Sequence, residues 1–409
     1  MRLVVVSPFV DRQHGTERAL AESLERLAHD YGCEVHLYSQ RVGDLTLREP
    51  EAKGVSKSGG IIWHKVRRDP GPHLVQFLAW IFFNGMLRWF DSNFRGLRFD
   101  LVLSPGINCF HADVVIVHAL FHRLQELSRE QGNASQAESG IFRGLHRRFY
   151  YGLLTRLERH IYADPRVTLA AVSQRTAGFL TQYFRRQDVR VIPNGMDTAQ
   201  FSPAARLARR AEARGRRRFR DDDFVLLLIG NDWRVKGLTT ILETMASLPD
   251  LSLQLITAGS DAPEFFRERA RQLGVVERCR WELPRRDVLD LYAAADVYVS
   301  PSQEDSFGLP VAEAMACGLP VITSVFAGVS EFIRDGAEGY VLRDARDAKS
   351  LAHLLRRLHE DPALRRKVGQ AATARAAEWT WGKNAEALWQ LLGEATARKK
   401  ESHTSKRNP

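Results

Sequence analysis

Cysteine is scarce. The 409 residues hold four, Cys33, Cys109, Cys279 and Cys317, far apart and without a Cys-x-x-Cys spacing. That pattern argues against a disulfide framework or a zinc knuckle and fits a reducing cytoplasm. Long apolar runs are missing too. The opening Leu3-Val4-Val5-Val6 is too short for the apolar core of a secretory leader and reads as a buried strand. Residues 70–87 contain no Asp, Glu, Lys or Arg, but they include Gln76, Asn84 and Gly85. Their helical part, 74–87, is shorter than the roughly 20 residues a span needs. A transmembrane helix is not expected there. Two readings of this segment remain. One is a helix packed on its own domain. The other is a helix lying on an anionic membrane surface, with Arg67, Arg68 and Arg88 beside it and Phe77, Trp80, Phe82 and Phe83 as contact area. Solenoid-type repeats are absent, and no Ser-His-Asp signature is legible.

What is present describes a folded enzyme. The hydrophobic content is 44% and the charged content 26%, as in globular proteins, and the length calls for two cores rather than one. The net charge of +10 is uneven. Residues 1–195 are net +7, residues 196–220 net +6, residues 221–397 net −7 and the last twelve net +4. A basic first half beside an acidic second half suggests an anionic partner for one domain; arginines that merely solvate the surface are the alternative. Nothing points to nucleic acid.

Apolar β-rich runs at 3–7, 34–39, 101–104, 114–117 and 168–172 alternate with helical patterns such as 17–30. The design repeats at 224–229, 251–258, 297–300 and 321–323, with helices at 238–248 and 351–359. Alternation of this kind predicts an α/β chain of two doubly wound, Rossmann-like domains with parallel sheets. The boundary is expected at Pro193-Asn194-Gly195, followed by a separating Arg-rich stretch at 206–220. The first domain then covers 1–193 and the second 194–379, with a helix at 380–397 returning to the first. The polar tail 398–409 is expected to be disordered.

The densest signal is VYVSPSQEDSFGLPVAEAMACGLPVIT, residues 297–323. It predicts strand, loop, helix, strand. Pro310 suits a first helical turn, Gly318 a left-handed cap, and Pro320 blocks continuation. The loop falls at the carboxyl end of a parallel strand, where open α/β sheets bind ligands, and the following helix end favours a diphosphate. Glu313, one turn inside the helix, is placed to accept bonds from two ribose hydroxyls. Asp305 can do the same for sugar hydroxyls.

This segment resembles the E-x7-E region of retaining GT-B glycosyltransferases of family four. The match runs through Ser306-Phe307-Gly308-Leu309-Pro310 and Glu313-Ala314-Met315-Ala316-Cys317-Gly318-Leu319-Pro320, with Asp305 where the family has its first Glu. Val191-Ile192-Pro193-Asn194-Gly195-Met196-Asp197 with Phe201-Ser202-Pro203 is similar to the family's domain-junction segment. Residues 229–237, IGNDWRVKG, are similar to its Gly-Arg-x4-Lys-Gly loop, with Asn231 at the usual Arg. Asp296, Gly328 and Glu331 also fit, whereas Leu283 stands where the family usually has a base-facing glycine.

The resemblance implies a GT-B fold of two Rossmann-like domains facing a cleft. It implies a retaining, metal-independent sugar transferase using a nucleotide diphosphate-sugar. The implied catalytic residues are Lys236, Arg234, Asp305 and His118. The donor-side residues are Glu313, Phe307, Gly308, Leu309, Gly230, Gly15, Thr16 and Ser173. No cofactor and no metal are implied. The expected acceptor is a cell-envelope glycan or a lipid-linked saccharide, met in the cytoplasm or on the inner face of its membrane. His118 has a second reading as a buried core histidine, and Gly15-Thr16 as a plain helix start. Asp221-Asp222-Asp223 reads as a solvated strand start rather than an Asp-x-Asp metal site, and His118 with His122 lacks the glutamate of a zinc helix. The rival functions are a nucleotide-sugar 2-epimerase-like isomerase and a non-catalytic sugar-nucleotide binder.

Overall fold

A computed structural model describes residues 1–12, 15–48, 59–130, 141–285 and 287–405. The chain divides into two compact units. The first takes Met1–Pro193 together with the chain from Gly382 onward, and the second takes Asn194–Trp381.

The first unit is built on strands β1 (Arg2–Val6), β2 (Phe9–Val10), β3 (Glu34–Ser39), β4 (Arg41–Val42), β5 (Gly60–Lys65), β6 (Leu101–Pro105), β7 (Val114–Val117), β8 (Thr168–Ala171) and β9 (Arg190–Val191). Its helices are α1 (Gly15–His29), α2 (His73–Asn93), α3 (Phe121–Glu130), α4 (Ile141–Tyr162) and α5 (Gln174–Phe184). Seven strands form one parallel sheet in the order β5-β3-β1-β6-β7-β8-β9, and β2 with β4 form a small pair. Both faces of the sheet are covered, so β1 is apolar throughout. Leu3 and Val5 point into a core with α1 residues Leu20, Leu24 and Leu27. Val4 and Val6 point into the opposite core with Trp80, Leu154 and Leu180.

The second unit repeats the architecture with β10 (Phe224–Ile229), β11 (Leu253–Ala258), β12 (Cys279–Glu282), β13 (Val297–Ser300), β14 (Val321–Ser324) and β15 (Tyr340–Leu342). Helices α6 (Pro203–Arg216), α7 (Leu238–Ser247), α8 (Glu264–Gln272), α9 (Leu289–Ala294), α10 (Leu309–Ala316), α11 (Ala348–Glu360) and α12 (Pro362–Ala376) flank it. The order is β12-β11-β10-β13-β14-β15, all parallel. In each sheet the strand order reverses beside the first strand, at β1/β6 and at β10/β13. That switch point opens a crevice at the carboxyl edge.

Two expectations need correction. The Arg-rich stretch 206–220 does not merely separate the boundary from β10: its residues 206–216 belong to α6, packed inside the second unit. Arg210 and Arg214 meet the Asp296 carboxylate at 2.6 and 3.1 Å. Arg217 meets Glu282 and Asp290 at 2.6 and 2.8 Å. The local charge of +6 is thus largely matched by acids of the same unit.

The tail is the second correction. The last helix, α13 (Trp381–Ser405), continues past residue 397 through 398–405. Lys399 explains part of this: its Nζ donates to the Asp100 carbonyl at 3.0 Å and meets Asp113 at 2.8 Å. Further back, Leu388, Leu391, Leu392 and Ala395 enter the first unit's core. Residues 406–409 lie outside the described residues.

Candidate active site

Loops at the β10/β13 switch point hold most of the residues singled out in the sequence. After β10 the chain runs Gly230 to Gly237 before α7 begins; after β13 it runs Pro301 to Gly308 before α10 begins. The two loops are laced together. Gln303 donates its N–H to the Val235 carbonyl at 2.7 Å. Gly237 has φ +82°, and a Cβ there would stand 2.2 Å from the Pro301 carbonyl oxygen, so only glycine permits this approach. The lacing delivers Lys236 Nζ onto the Asp305 carboxylate as an ion pair, with both side chains more than four-fifths buried. Two residues 69 positions apart in sequence therefore meet at the carboxyl edge of the sheet.

The Asp305 loop is fixed on its other side as well. Asp305 pairs with Ala327 in an isolated parallel bridge. The Asp305 carbonyl accepts from Gly328 N–H at 2.9 Å, and the Phe307 carbonyl accepts from Val329 N–H at 2.6 Å. Gly308, at φ +96°, is the left-handed N-cap of α10, and Pro310 sits in the first turn. Phe307 and Leu309 are buried.

Glu313 lies on the buried side of α10. Tyr292 of α9 donates its hydroxyl to Glu313 Oε2 at 2.6 Å. Burial, and then the Glu313 charge, push the Tyr292 phenol well above its ordinary pKa. Tyr292 stays a donor and orients the carboxylate. Arg234 is exposed, its guanidinium 4.7 Å from the centre of the Phe265 ring. Asn231, at the position of the family arginine, uses its Oδ1 to accept from Ser260 N–H at 2.9 Å. It ties the loop after β10 to the loop after β11 and brings no charge. Gly230 starts the loop at φ +136°, beside the Lys236 side chain.

The other four residues belong to the first unit and lie at the carboxyl edge of its own sheet. Gly15 and Thr16 are exposed in the first turn of α1, while His14 lies outside the described residues. Ser173 follows β8 and is fully buried. Its Oγ accepts from Thr176 N–H at 3.2 Å as the N-cap of α5. That use explains the residue through the helix end rather than through a ligand. His118 follows β7. Both of its ring nitrogens are sheltered from solvent, with the Ile116 backbone as a nearby polar group. Burial lowers its pKa to about 4 and keeps the imidazole neutral.

Two features were missed in the sequence. Tyr292 gives no signal of its own, because an aromatic in a short helix reads as core. A hydroxyl belt binds the ends of β13 and β14: Ser300 Oγ lies 2.8 Å from Ser302 Oγ, and Ser324 Oγ donates to the Ser302 carbonyl. Small hydroxyls inside a matching motif looked like loop polarity. Asp223 is buried and accepts from Arg220 N–H at 2.7 Å. Among the described residues no group of three His, Cys, Asp or Glu side chains is placed to hold a metal ion.

Residues 14–200 match the model of Glycosyltransferase Family 4, and residues 209–375 the model of Glycosyl transferases group 1. Each match lies mainly within one of the two units. Among similar proteins are D-inositol 3-phosphate glycosyltransferases. That of Salinispora arenicola is 34% identical over 225 residues, 51% of this chain and 50% of the relative. That of Thermobifida fusca is 31% identical over 236 residues, 54% and 53% respectively. The chain thus spans about half the length of the curated relatives it matches. Solved structures share the fold over far more of the chain. WaaG, a glycosyltransferase involved in lipopolysaccharide biosynthesis, aligns with TM-score 0.74 at 18% identity, over 96% of this chain and 99% of that one. Anabaena HepE in complex with UDP and glucose aligns with TM-score 0.67 at 16% identity, over 96% and 100%. Their GT-B fold is the fold of this chain.

Proposed function

We propose that the chain is a retaining, metal-independent glycosyltransferase. It would move a sugar from a nucleotide diphosphate-sugar, bound on the second unit, to a cell-envelope glycan or lipid-linked saccharide. The observation that carries this is the Lys236–Asp305 ion pair at the β10/β13 switch point. A cation and an acid are stored against each other where an incoming donor offers a partner to both. The diphosphate takes Lys236, and the sugar hydroxyls take Asp305. Exposed Arg234 and the amino end of α10 add positive potential along the same edge. As the bond from the sugar to the diphosphate breaks, negative charge grows on the leaving group. Preorganised donors at that place lower the barrier more than they tighten substrate binding. The acceptor oxygen attacks the face that the diphosphate leaves. Glu313, held by Tyr292, is oriented for the ribose.

The test is transfer from a panel of nucleotide sugars, with the anomeric configuration of the product read by NMR. We expect retention, turnover that survives excess chelator, and a loss of about 10²–10³-fold in Lys236→Ala. Inversion refutes the stereochemistry, and loss of activity with EDTA refutes metal independence. Wild-type turnover in a folded Lys236→Ala refutes the site. Epimerised donor in place of transferred sugar turns the reading to the isomerase.

A further inference from the structure

The inner and outer sides of α2 follow different rules. Its inner side is packed: Trp80, Asn84 and Asp91 are buried, and Phe77, Ile81, Phe83 and Leu87 pack on the first unit's core. Asp91, the only acid of the helix, is turned wholly inward, accepting from the Tyr38 hydroxyl at 2.6 Å and from Arg95 at 3.0 Å. The outer side is apolar and open. Among the described residues fifteen large hydrophobic side chains are exposed, and six of them lie on α2: Val75, Leu78, Phe82, Met86, Trp89 and Phe90. The steps from 75 to 78, 82, 86 and 89 are three or four residues, which aligns them as one stripe. Of the four aromatics singled out in the sequence Phe82 faces outward, while Phe77, Trp80 and Phe83 pack inward. No helix among the described residues is long and apolar enough to cross a membrane.

The stripe continues into a groove. Leu74 and Leu78 form one wall of a cavity of about 770 Å³, and Phe149, Gly152 and Leu153 of α4 form the other. Arg156 stands at the lip, exposed. Basic residues flank both ends of the helix. Lys65, Arg67 and Arg68 precede it, and Arg95 and Arg98 follow it, all exposed. The acids nearby are Asp69, paired with Arg67 at 3.1 Å, the buried Asp91, and Asp100, which accepts from the Arg2 N–H at 2.7 Å. The face therefore combines an apolar stripe, an apolar groove and a basic rim.

We propose that this face docks on an anionic lipid bilayer. The stripe lies among the acyl chains, the groove takes one hydrocarbon tail, and Arg156 meets that lipid's anionic headgroup. Basic flanks with an aromatic stripe are the composition of helices that lie in the interface. They also disfavour a second copy as the occupant. A two-fold pairing of antiparallel α2 helices sets Arg67 and Arg68 of one protomer against Arg95 and Arg98 of the other, like charge on like charge. The surface goes beyond the transfer reaction, and its test uses no donor or acceptor.

The experiment is co-sedimentation of the full chain with phosphatidylglycerol-containing vesicles and with pure phosphatidylcholine vesicles. We expect binding to the anionic vesicles alone, weakened at least tenfold by half-molar salt and at least tenfold by Phe82→Asp or Trp89→Asp. Brominated lipid should quench fluorescence in the wild type more than in Trp89→Phe. For the groove the probe is dodecyl phosphate below its micellar concentration. Gly152→Trp, which enters open space, should abolish its binding. Both aspartate variants are exposed, and unchanged melting confirms their fold. Failure to bind anionic vesicles overturns docking, and so does binding that either aspartate variant leaves intact. A dimer that Phe82→Asp dissolves overturns it in favour of a second copy. Dodecyl phosphate binding unaffected by Gly152→Trp overturns the groove.

Discussion

Lys236 and Asp305 are each other's counter-ion in this structure, and that separates their roles under substitution. Removing the acid releases the cation, so Asp305→Asn should bind nucleoside diphosphate as tightly as the wild type or more tightly. Turnover should still fall at least about tenfold, because the sugar loses its charged acceptor; hydrogen bonds to charged groups are worth about 1.5–3 kcal/mol. Calorimetry beside a transfer assay reads both quantities, and a parallel fall in affinity and turnover contradicts the stored-pair account. Glu313 is a different case. Its carboxylate already accepts from Tyr292 at 2.6 Å, so Glu313→Gln trades a charged acceptor for a neutral one. Nucleotide affinity should fall by about 1–3 kcal/mol, and Tyr292→Phe should reproduce part of that loss by freeing the carboxylate to turn. Unchanged affinity in both variants leaves Glu313 as a strut of α10 alone.

The arginines of α6 show how an element can look like a functional feature in sequence and turn out to be scaffolding. Asp296 receives Arg210, Arg214 and the Val225 N–H, which ties α6 to the first residues of β10. Arg214 is nearly fully buried. Asp296→Ala leaves that charge unpaired, and removal of one partner from such a pair costs about 3–5 kcal/mol. A urea titration should show the second unit's transition at a markedly lower midpoint, whereas an unshifted midpoint means that solvent takes over the partner's role. Legibility followed burial. Central strands such as β7, β10 and β13 could be read to the residue, because both of their faces are apolar. The edge strands β5 and β12, at the outer end of their sheets, were invisible: Gly60–Lys65 and Cys279–Glu282 mix polar and apolar residues with one side open. The two loops around the Lys236–Asp305 pair were legible in outline, since their glycines and Pro310 obey backbone rules that leave a mark in sequence. The Lys236–Asp305 pairing, the capping use of Ser173 and the Tyr292 contact were not legible, because each depends on which loops the sheet order brings together.

At the scale of the whole chain the order of residues and the order of folding units differ. Residues 1–193 form a complete seven-stranded sheet, yet one of its two covering layers is unfinished without the end of the chain. Leu388, Leu391 and Leu392 fill the core beside Leu3, Leu24 and Leu27. Asn384 holds the place by accepting from Ser23 at 2.9 Å and donating to the Pro193 carbonyl at 2.7 Å. Three leucines moved from water to that core contribute about 1.5–3 kcal/mol each, comparable to the whole stability of an ordinary domain, about 5–15 kcal/mol. A fragment of residues 1–193 should therefore lack a cooperative thermal transition and bind a hydrophobic dye. Linking residues 382–405 to its amino end through a flexible linker should restore the transition. A sharp melt in the bare fragment, at the temperature of the full chain, means that α13 only decorates the first unit, and that the unit folds before the second half of the chain exists.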